Sequence, residues 1–368
     1  MSSVAPLIIH QFTNSQINYF LPDHPGGGLV FMLEKPDIDE TKIIDCVQRE
    51  FGLQVDCITF LPLGADQHTA VYSAVTHDGK PYFVKLRSGD FDEMAVAVPY
   101  FLSSLGMKQV IPSLTTQAGQ LWARLGEYRV ILYPFVAGHN GFEVGLSDHH
   151  WVEFGRALKQ LHTAVLPTAI TKGIRREAFS PIWCNKVKSF LAGLDNENYD
   201  DPISAELAQF LQSRRDVTLE LVRRAKYLAQ IVQEQAPTFI VCHADIHAGN
   251  LLIDEYDALY MIDWDTLTFA PKERDLMFVG GALGGNGRSP AEEEALFYAG
   301  YGPTQINPAL IAYYRYDRII EDIALFCEDI FLSAAGGKDR EQALIYLQSN
   351  YLSNHTIEIA FDADGTKW

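Results

Sequence analysis

The sequence predicts an α+β chain in two lobes, a small β-rich one followed by a larger helical one. Three observations carry this. Short β-rich runs occupy residues 57–136 around one helical pattern, and long helical periodicities dominate from residue 148 onward. A strand–loop–strand unit at Phe239–Ile262 carries polar residues at strand ends, where rigid neighbours hold them. At 368 residues the chain is long for one core and suits two. The expected division is residues 1–36, 37–136 and 137–368.

Residues 1–36 are turn-rich and show no sustained period; they read as a short extension or as an over-long start upstream of Met32. Asp37 or Asp39 caps a helix with Ile43, Ile44, Val47 and Phe51 on one face, ended by Gly52. Cys57–Leu63 and Ala70–Val75 read as strands around a turn at Gly64–Thr69. His77–Lys80 is a hairpin signal leading into the strand Tyr82–Leu86. A helix follows at Phe91–Leu105, then a strand at Arg129–Val136, broken by Pro134 and Gly138 at a hinge. Trp151, Phe154, Leu158 and Leu161 fall at helical spacing in Asp148–Ala164, a stripe that reads as core. Residues 168–202 read as irregular and Ser204–Gln235 as one long amphipathic helix. Arg274 and Asp275 read as a structural ion pair, Gly280–Gly287 as a loop, and Tyr313–Asp329 as a helix with Arg318, Glu321 and Asp322 clustered.

Composition narrows the function. The formal charge is −18, from 29 Lys and Arg against 47 Asp and Glu, which argues against non-specific binding to nucleic acid or an anionic membrane. Cys46, Cys57, Cys184, Cys242 and Cys327 show no paired spacing, so they suit free thiols in a reducing compartment, not a disulfide framework or zinc site. Residues 1–34 contain no Lys or Arg, and no apolar run reaches the length of a membrane span, so the expectation is a cytoplasmic protein. No protein partner is read from the sequence.

The chemistry concentrates in residues 241–265. Asp245, Asn250 five positions on and Asp263 thirteen further on form an oxygen-ligand set suited to Mg²⁺, with one carboxylate left as a base. The spacing resembles the protein-kinase catalytic loop and its following metal-binding Asp. Here it runs His243-Ala244-Asp245, Asn250 and Ile262-Asp263-Trp264, with His247 two residues after the base. That histidine, the flanking strands and the segment Ala270–Leu276 are similar to the aminoglycoside phosphotransferase family of the protein-kinase-like fold, over most of residues 32–362.

The resemblance implies a kinase-like nucleotide site. The turn holding Gly64 would cover the phosphates, although the glycine-rich pattern of protein kinases is absent. Lys85, on an otherwise apolar strand, would contact the α- and β-phosphates, and its carboxylate partner would come from the next helix, with Glu93 preferred and Asp92 close behind. Adenine would lie near Tyr133–Val136, with Tyr133 and Phe135 as contacts. ATP is the implied donor, with GTP left open, and Mg²⁺ the implied cofactor. His243 is expected to be structural, and His247 to order the loop or screen the γ-phosphate. The acceptor implied by the resemblance is a cationic aminocyclitol, spectinomycin before others, for which Asp265, Glu321 and Asp322 are candidate contacts. The alternatives are a kinase for choline, homoserine, methylthioribose or an amino sugar, or a catalytically silent binding module.

Overall fold

A computed structural model describes residues 35–62, 68–195, 199–281, 288–332, 337–353 and 355–365. The expectations for residues 1–34, for Gly64 and for most of the Gly280–Gly287 loop lie outside the described residues.

In the small lobe Asp39 caps α1 (Glu40–Cys46), its Oδ1 accepting from Thr41 N at 3.0 Å. A wider turn, Val47–Phe51, continues the helix and buries Val47 and Phe51 beside Ile43 and Cys46. Five antiparallel strands follow: β1 (Val55–Leu61), β2 (Thr69–Thr76), β3 (Pro81–Arg87), β4 (Ala123–Leu125) and β5 (Tyr128–Pro134), in the spatial order β1-β2-β3-β5-β4. Side chains alternate across β3, so Val84 and Leu86 enter a core with Ile43, Tyr72, Val130 and Leu132. Lys85 thereby points to the opposite face, toward the large lobe. Helix α2 (Met94–Ser104) joins β3 to β4, and its Val98 and Leu102 pack into the large-lobe core. Met261 N donates to Gln109 O at 2.7 Å, so the segment after α2 also belongs to the floor beneath the sheet.

The large lobe begins after residues 135–137. Its elements are β6 (Gly138–Asn140), α3 (Gly141–Val144), α4 (Asp148–Thr163), α5 (Thr168–Thr171), α6 (Ile182–Gly193), α7 (Pro202–Ser213) and α8 (Arg215–Glu234). Then come β7 (Ile240–Cys242), β8 (Leu251–Asp254), β9 (Leu259–Met261), β10 (Thr268–Ala270), α9 (Glu273–Leu276), α10 (Pro290–Tyr301), α11 (Pro308–Phe331), α12 (Gly337–Ser349) and α13 (Thr356–Ala363). Two small sheets, β6-β8-β9 and β10-β7, carry the polar loop between them. The core runs through α11, which packs on α6, α8, α9, α12 and α13. The chain thus has the two-lobe α+β fold of the protein-kinase-like enzymes. Among the described residues no helix is long and apolar enough to cross a membrane.

Two expectations are corrected. Residues 168–202 are not irregular: they contain α5 and α6, and α7 begins at Pro202. The stripe of α6 is narrow, only Cys184, Val187 and Leu191 being buried, which hides its period. Ser204–Gln235 is two helices, broken at Arg214 with φ −109° and ψ 10°. Buried Leu211 and Thr218 keep the seven-residue spacing across the break, and no Gly or Pro marks it.

Helices α4 and α10 cross at two glycines. A methyl on Gly155 would meet the Phe297 carbonyl, and one on Gly300 the Val152 carbonyl, so the backbones themselves are in contact. Gly300→Ala is therefore expected to destabilise the fold by about 1–3 kcal/mol through overpacking. Urea denaturation with an unchanged midpoint would contradict this crossing.

Candidate active site

The loop after β7 is held from below by one carboxylate. Asp275, fully buried on α9, accepts from His243 N through Oδ2 at 2.9 Å and from Ala244 N through Oδ1 at 2.6 Å. His162 of α4 lies 2.9 Å from Asp275 Oδ2 through Nε2, and 2.8 Å from the Tyr301 hydroxyl through Nδ1. Such charge-assisted bonds to a buried carboxylate are the strong kind. They hold Ala244 at φ +71°, a left-handed conformation that turns the chain sharply just before Asp245.

The other loop residues close the arrangement. His243 is buried and donates from Nε2 to Ile262 O at 2.9 Å, leaving Nδ1 to face Asp245 N at 3.4 Å. This is the structural histidine expected from the sequence. His247 caps the turn at Ala248–Asn250, its Nδ1 accepting from Gly249 N at 3.0 Å, and its ring stacks on Phe142 at 5.4 Å. Burial holds the His247 imidazole below its ordinary pKa. Asn250 donates from Nδ2 to Asp245 O at 2.7 Å, which turns the amide nitrogen toward Asp245 and leaves the amide oxygen for another partner. Ile262 N donates to Asn250 O at 3.0 Å and brings Asp263 alongside. Asp263 has φ +61°, and its carboxylate is about half exposed (54%) while Trp264 turns inward.

On the small-lobe side Lys85 lies 2.8 Å from Asp265 Oδ2 and 3.4 Å from Asp263 Oδ1. Burial works against its charge, but the two carboxylates outweigh burial and hold Lys85 more firmly protonated than a free lysine. The expected partner Glu93 is corrected here. It is exposed and precedes α2, and the helix itself, Met94–Ser104, contains no carboxylate to offer. Asp92 pairs instead with Arg175, at 3.3 Å, and Arg175 donates to Asp265 O at 2.6 Å. Asp265 is thus tied to Lys85, and at 3.8 Å to Arg87, and does not line the cavity beside α11. Tyr133 is the penultimate residue of β5 and lies beside Phe83, with ring centroids 6.4 Å apart, and Phe135 lies in the link between lobes.

On the large-lobe side a cavity opens between the loop and α11, lined among others by Phe142, His247, Phe278, Arg318, Asp322 and Phe326. Arg318 Nη1 contacts Asp245 Oδ1, and its Nε lies 3.0 Å from Asp322 Oδ1. Burial would raise the Asp245 carboxyl, but Arg318 and His247 outweigh it and bring it down to about 2. Asp322 is pushed up to about 6 by burial despite Arg318. Glu321 does not line the cavity; it reaches Arg274 at 3.9 Å, which also pairs with Asp317 at 3.6 Å. Arg274 and Asp275 are therefore not a pair, because neighbours on one helical turn point apart. The sequence does not show the contact of Arg318 with Asp245, although the clustering of Arg318 with Asp322 is visible there; nothing local marks Asp275 and His162.

A sequence profile of the phosphotransferase enzyme family matches residues 59–310. Among solved structures, a spectinomycin phosphotransferase in complex with ADP and spectinomycin is 33% identical, with a TM-score of 0.82 over 89% of this chain and 99% of that one. Its AMP-bound complex gives 32% identity and a TM-score of 0.77, covering 87% and 98%. An aminoglycoside phosphotransferase from Alicyclobacillus acidocaldarius, 15% identical with a TM-score of 0.61 over 90% and 98%, shares the fold.

Asp275→Asn removes an acceptor and turns an amide donor toward a backbone N–H. The expected result is a loss of about 1–3 kcal/mol in stability, together with a kcat lower by about tenfold or more, since misplaced catalytic groups cost rate steeply. Chemical denaturation and steady-state kinetics check this; a variant matching the parent in both would remove Asp275 from this role.

Proposed function

Because the chain belongs to the aminoglycoside phosphotransferase family and is a phosphotransferase acting on hydroxyl acceptors, we propose that it transfers the γ-phosphate of ATP to a hydroxyl of spectinomycin, with Asp245 as base. The observation that carries the reading is the position of Asp245 between two differently built sides. Lys85 and Asp263 lie on one, and the aromatic-walled cavity with Asp322 lies on the other. Similarity at 33% identity to an enzyme crystallised with ADP and spectinomycin supports the substrate.

In this reading the acceptor hydroxyl gives its proton to Asp245 as its oxygen bonds to the γ-phosphorus. The bridging P–O bond breaks and ADP leaves. Phosphoryl transfer asks mainly for positioning and charge neutralisation. Lys85 serves the α- and β-phosphates by exchanging its carboxylate partners for phosphate oxygens. Nucleotide binding accords with the ADP and AMP complexes of the similar enzyme. Asn250 and Asp263 fit Mg²⁺: one has an amide oxygen left for a ligand and the other a half-exposed carboxylate, both hard oxygen donors. Bound there, Mg²⁺ would neutralise charge on the phosphate oxygens. Tyr133 and Phe135 border the adenine. A compact aminocyclitol presents an apolar ring face to Phe142 and Phe278 and an ammonium to Asp322. A cytoplasmic protein, with ATP at hand, suits this reading.

Asp245→Asn keeps the shape and removes the charge that accepts the proton. Transfer should fall by about 10²–10⁴-fold, while ATP binding stays within a few-fold of the parent. A near-parental kcat would remove Asp245 as base.

A further inference from the structure

We propose that Arg318 is a positioning residue for the base: anchored by Asp322, it fixes the Asp245 carboxylate so that one chosen oxygen meets the acceptor hydroxyl. The inference rests on Asp245 being the base and adds what aims it.

Asp245 sits on a loop whose backbone is held at His243 and Ala244, yet its own side chain has two free torsions. Of its two oxygens, Oδ1 is engaged by Arg318 Nη1. Among the described residues Oδ2 meets only long approaches, Asn250 Nδ2 at 3.4 Å and His247 Nε2 at 3.7 Å. Oδ2 is therefore the oxygen with capacity to accept a proton. Arg318 is in turn fixed by Asp322 one turn along α11, with Nε 3.0 Å from Oδ1. A planar guanidinium can hold two carboxylates in a set geometry, which a lysine ammonium cannot do. The helix that carries the pair is the most heavily packed element of the lobe, so the anchor is rigid. Arg318, Asp245 and Asp322 are each largely screened from solvent, with side chains 27%, 18% and 26% exposed.

The geometry also bears on the step itself. The acceptor O–H bond breaks, its proton goes to Oδ2, its oxygen bonds to the γ-phosphorus, and ADP departs with the bridging oxygen. Without Arg318 the carboxylate is free to rotate and to shorten the 3.4 Å approach of Oδ2 to Asn250 Nδ2 into a full hydrogen bond, which would spend that oxygen. The first task of Asp322 is then to hold Arg318, with the substrate ammonium a second.

The test compares Arg318→Met, Arg318→Lys, Asp322→Asn, the Arg318→Met/Asp322→Asn double variant and Asp245→Asn in the full chain. ADP release is measured with spectinomycin as acceptor and, separately, with water alone, so the comparison is readable whichever acceptor turns over. Arg318→Met should lower kcat by about 10–100-fold, in the range that misorientation costs, with the ATP dissociation constant within about threefold of the parent. Arg318→Lys and Asp322→Asn should lie between, and the double variant should be no worse than Arg318→Met, because the two residues act as one unit. If Arg318→Met does not fold, Arg318→Lys carries the same test. An unchanged kcat in the Arg318 variants while Asp245→Asn is inactive would overturn the proposal alone. A raised acceptor KM at parental kcat would overturn it too, making Arg318 a substrate contact. Parental activity in Asp245→Asn would instead overturn the assignment of the base.

Discussion

The site depends on the carboxylate of Asp275. A strand that ends and reverses inside a lobe leaves backbone N–H groups which burial would make costly unless paired. Asp275 takes two of them, from His243 and Ala244, and His162 and Tyr301 complete the buried network behind it. That pairing makes the left-handed turn at Ala244 tolerable, and the turn delivers Asp245 to the cleft. His243, reaching Ile262 O, and Asn250, bonded through its backbone to Ile262, then tie the second strand and Asp263 to the same frame.

Charge in the cleft is arranged in two separate arrays. On one side Lys85 lies between Asp263 and Asp265; on the other Arg318 lies between Asp245 and Asp322. The two differ in balance: Arg87 also reaches Asp265, at 3.8 Å, so two cations face two carboxylates on the first side, whereas Arg318 alone bridges two carboxylates on the second. The −18 charge of the whole chain is not concentrated in the cavity beside α11, whose lining includes Arg315 and Arg318. Acid should loosen the Arg318 array first, because burial pushes Asp322 up to about 6 and it loses its charge as pH falls through that value.

The motif and the alternating strands were legible because each is local. Asp245, Asn250 and Asp263 stand at fixed spacings, and Lys85 alternates with Val84 and Leu86 on one strand. What was not legible is set by distance along the chain or by a missing marker. Glu93 was a reasonable partner for Lys85 by position, yet the carboxylates that reach it are 178 and 180 residues away. Asp275 looked like the partner of its neighbour Arg274, whereas its bonds go back 31 and 32 residues. The break at Arg214 leaves the apolar period intact, so periodicity alone merges α7 with α8. Glu321 and Asp322 are adjacent in sequence, but only Asp322 turns into the cavity while Glu321 faces Arg274.

The most direct test of the account is transfer of label from γ-labelled ATP, with Mg²⁺, to spectinomycin and to kanamycin in parallel. The account predicts singly phosphorylated spectinomycin, formed much faster than ATP is hydrolysed without acceptor, and little label on kanamycin. Label on kanamycin, choline or homoserine with none on spectinomycin would contradict it.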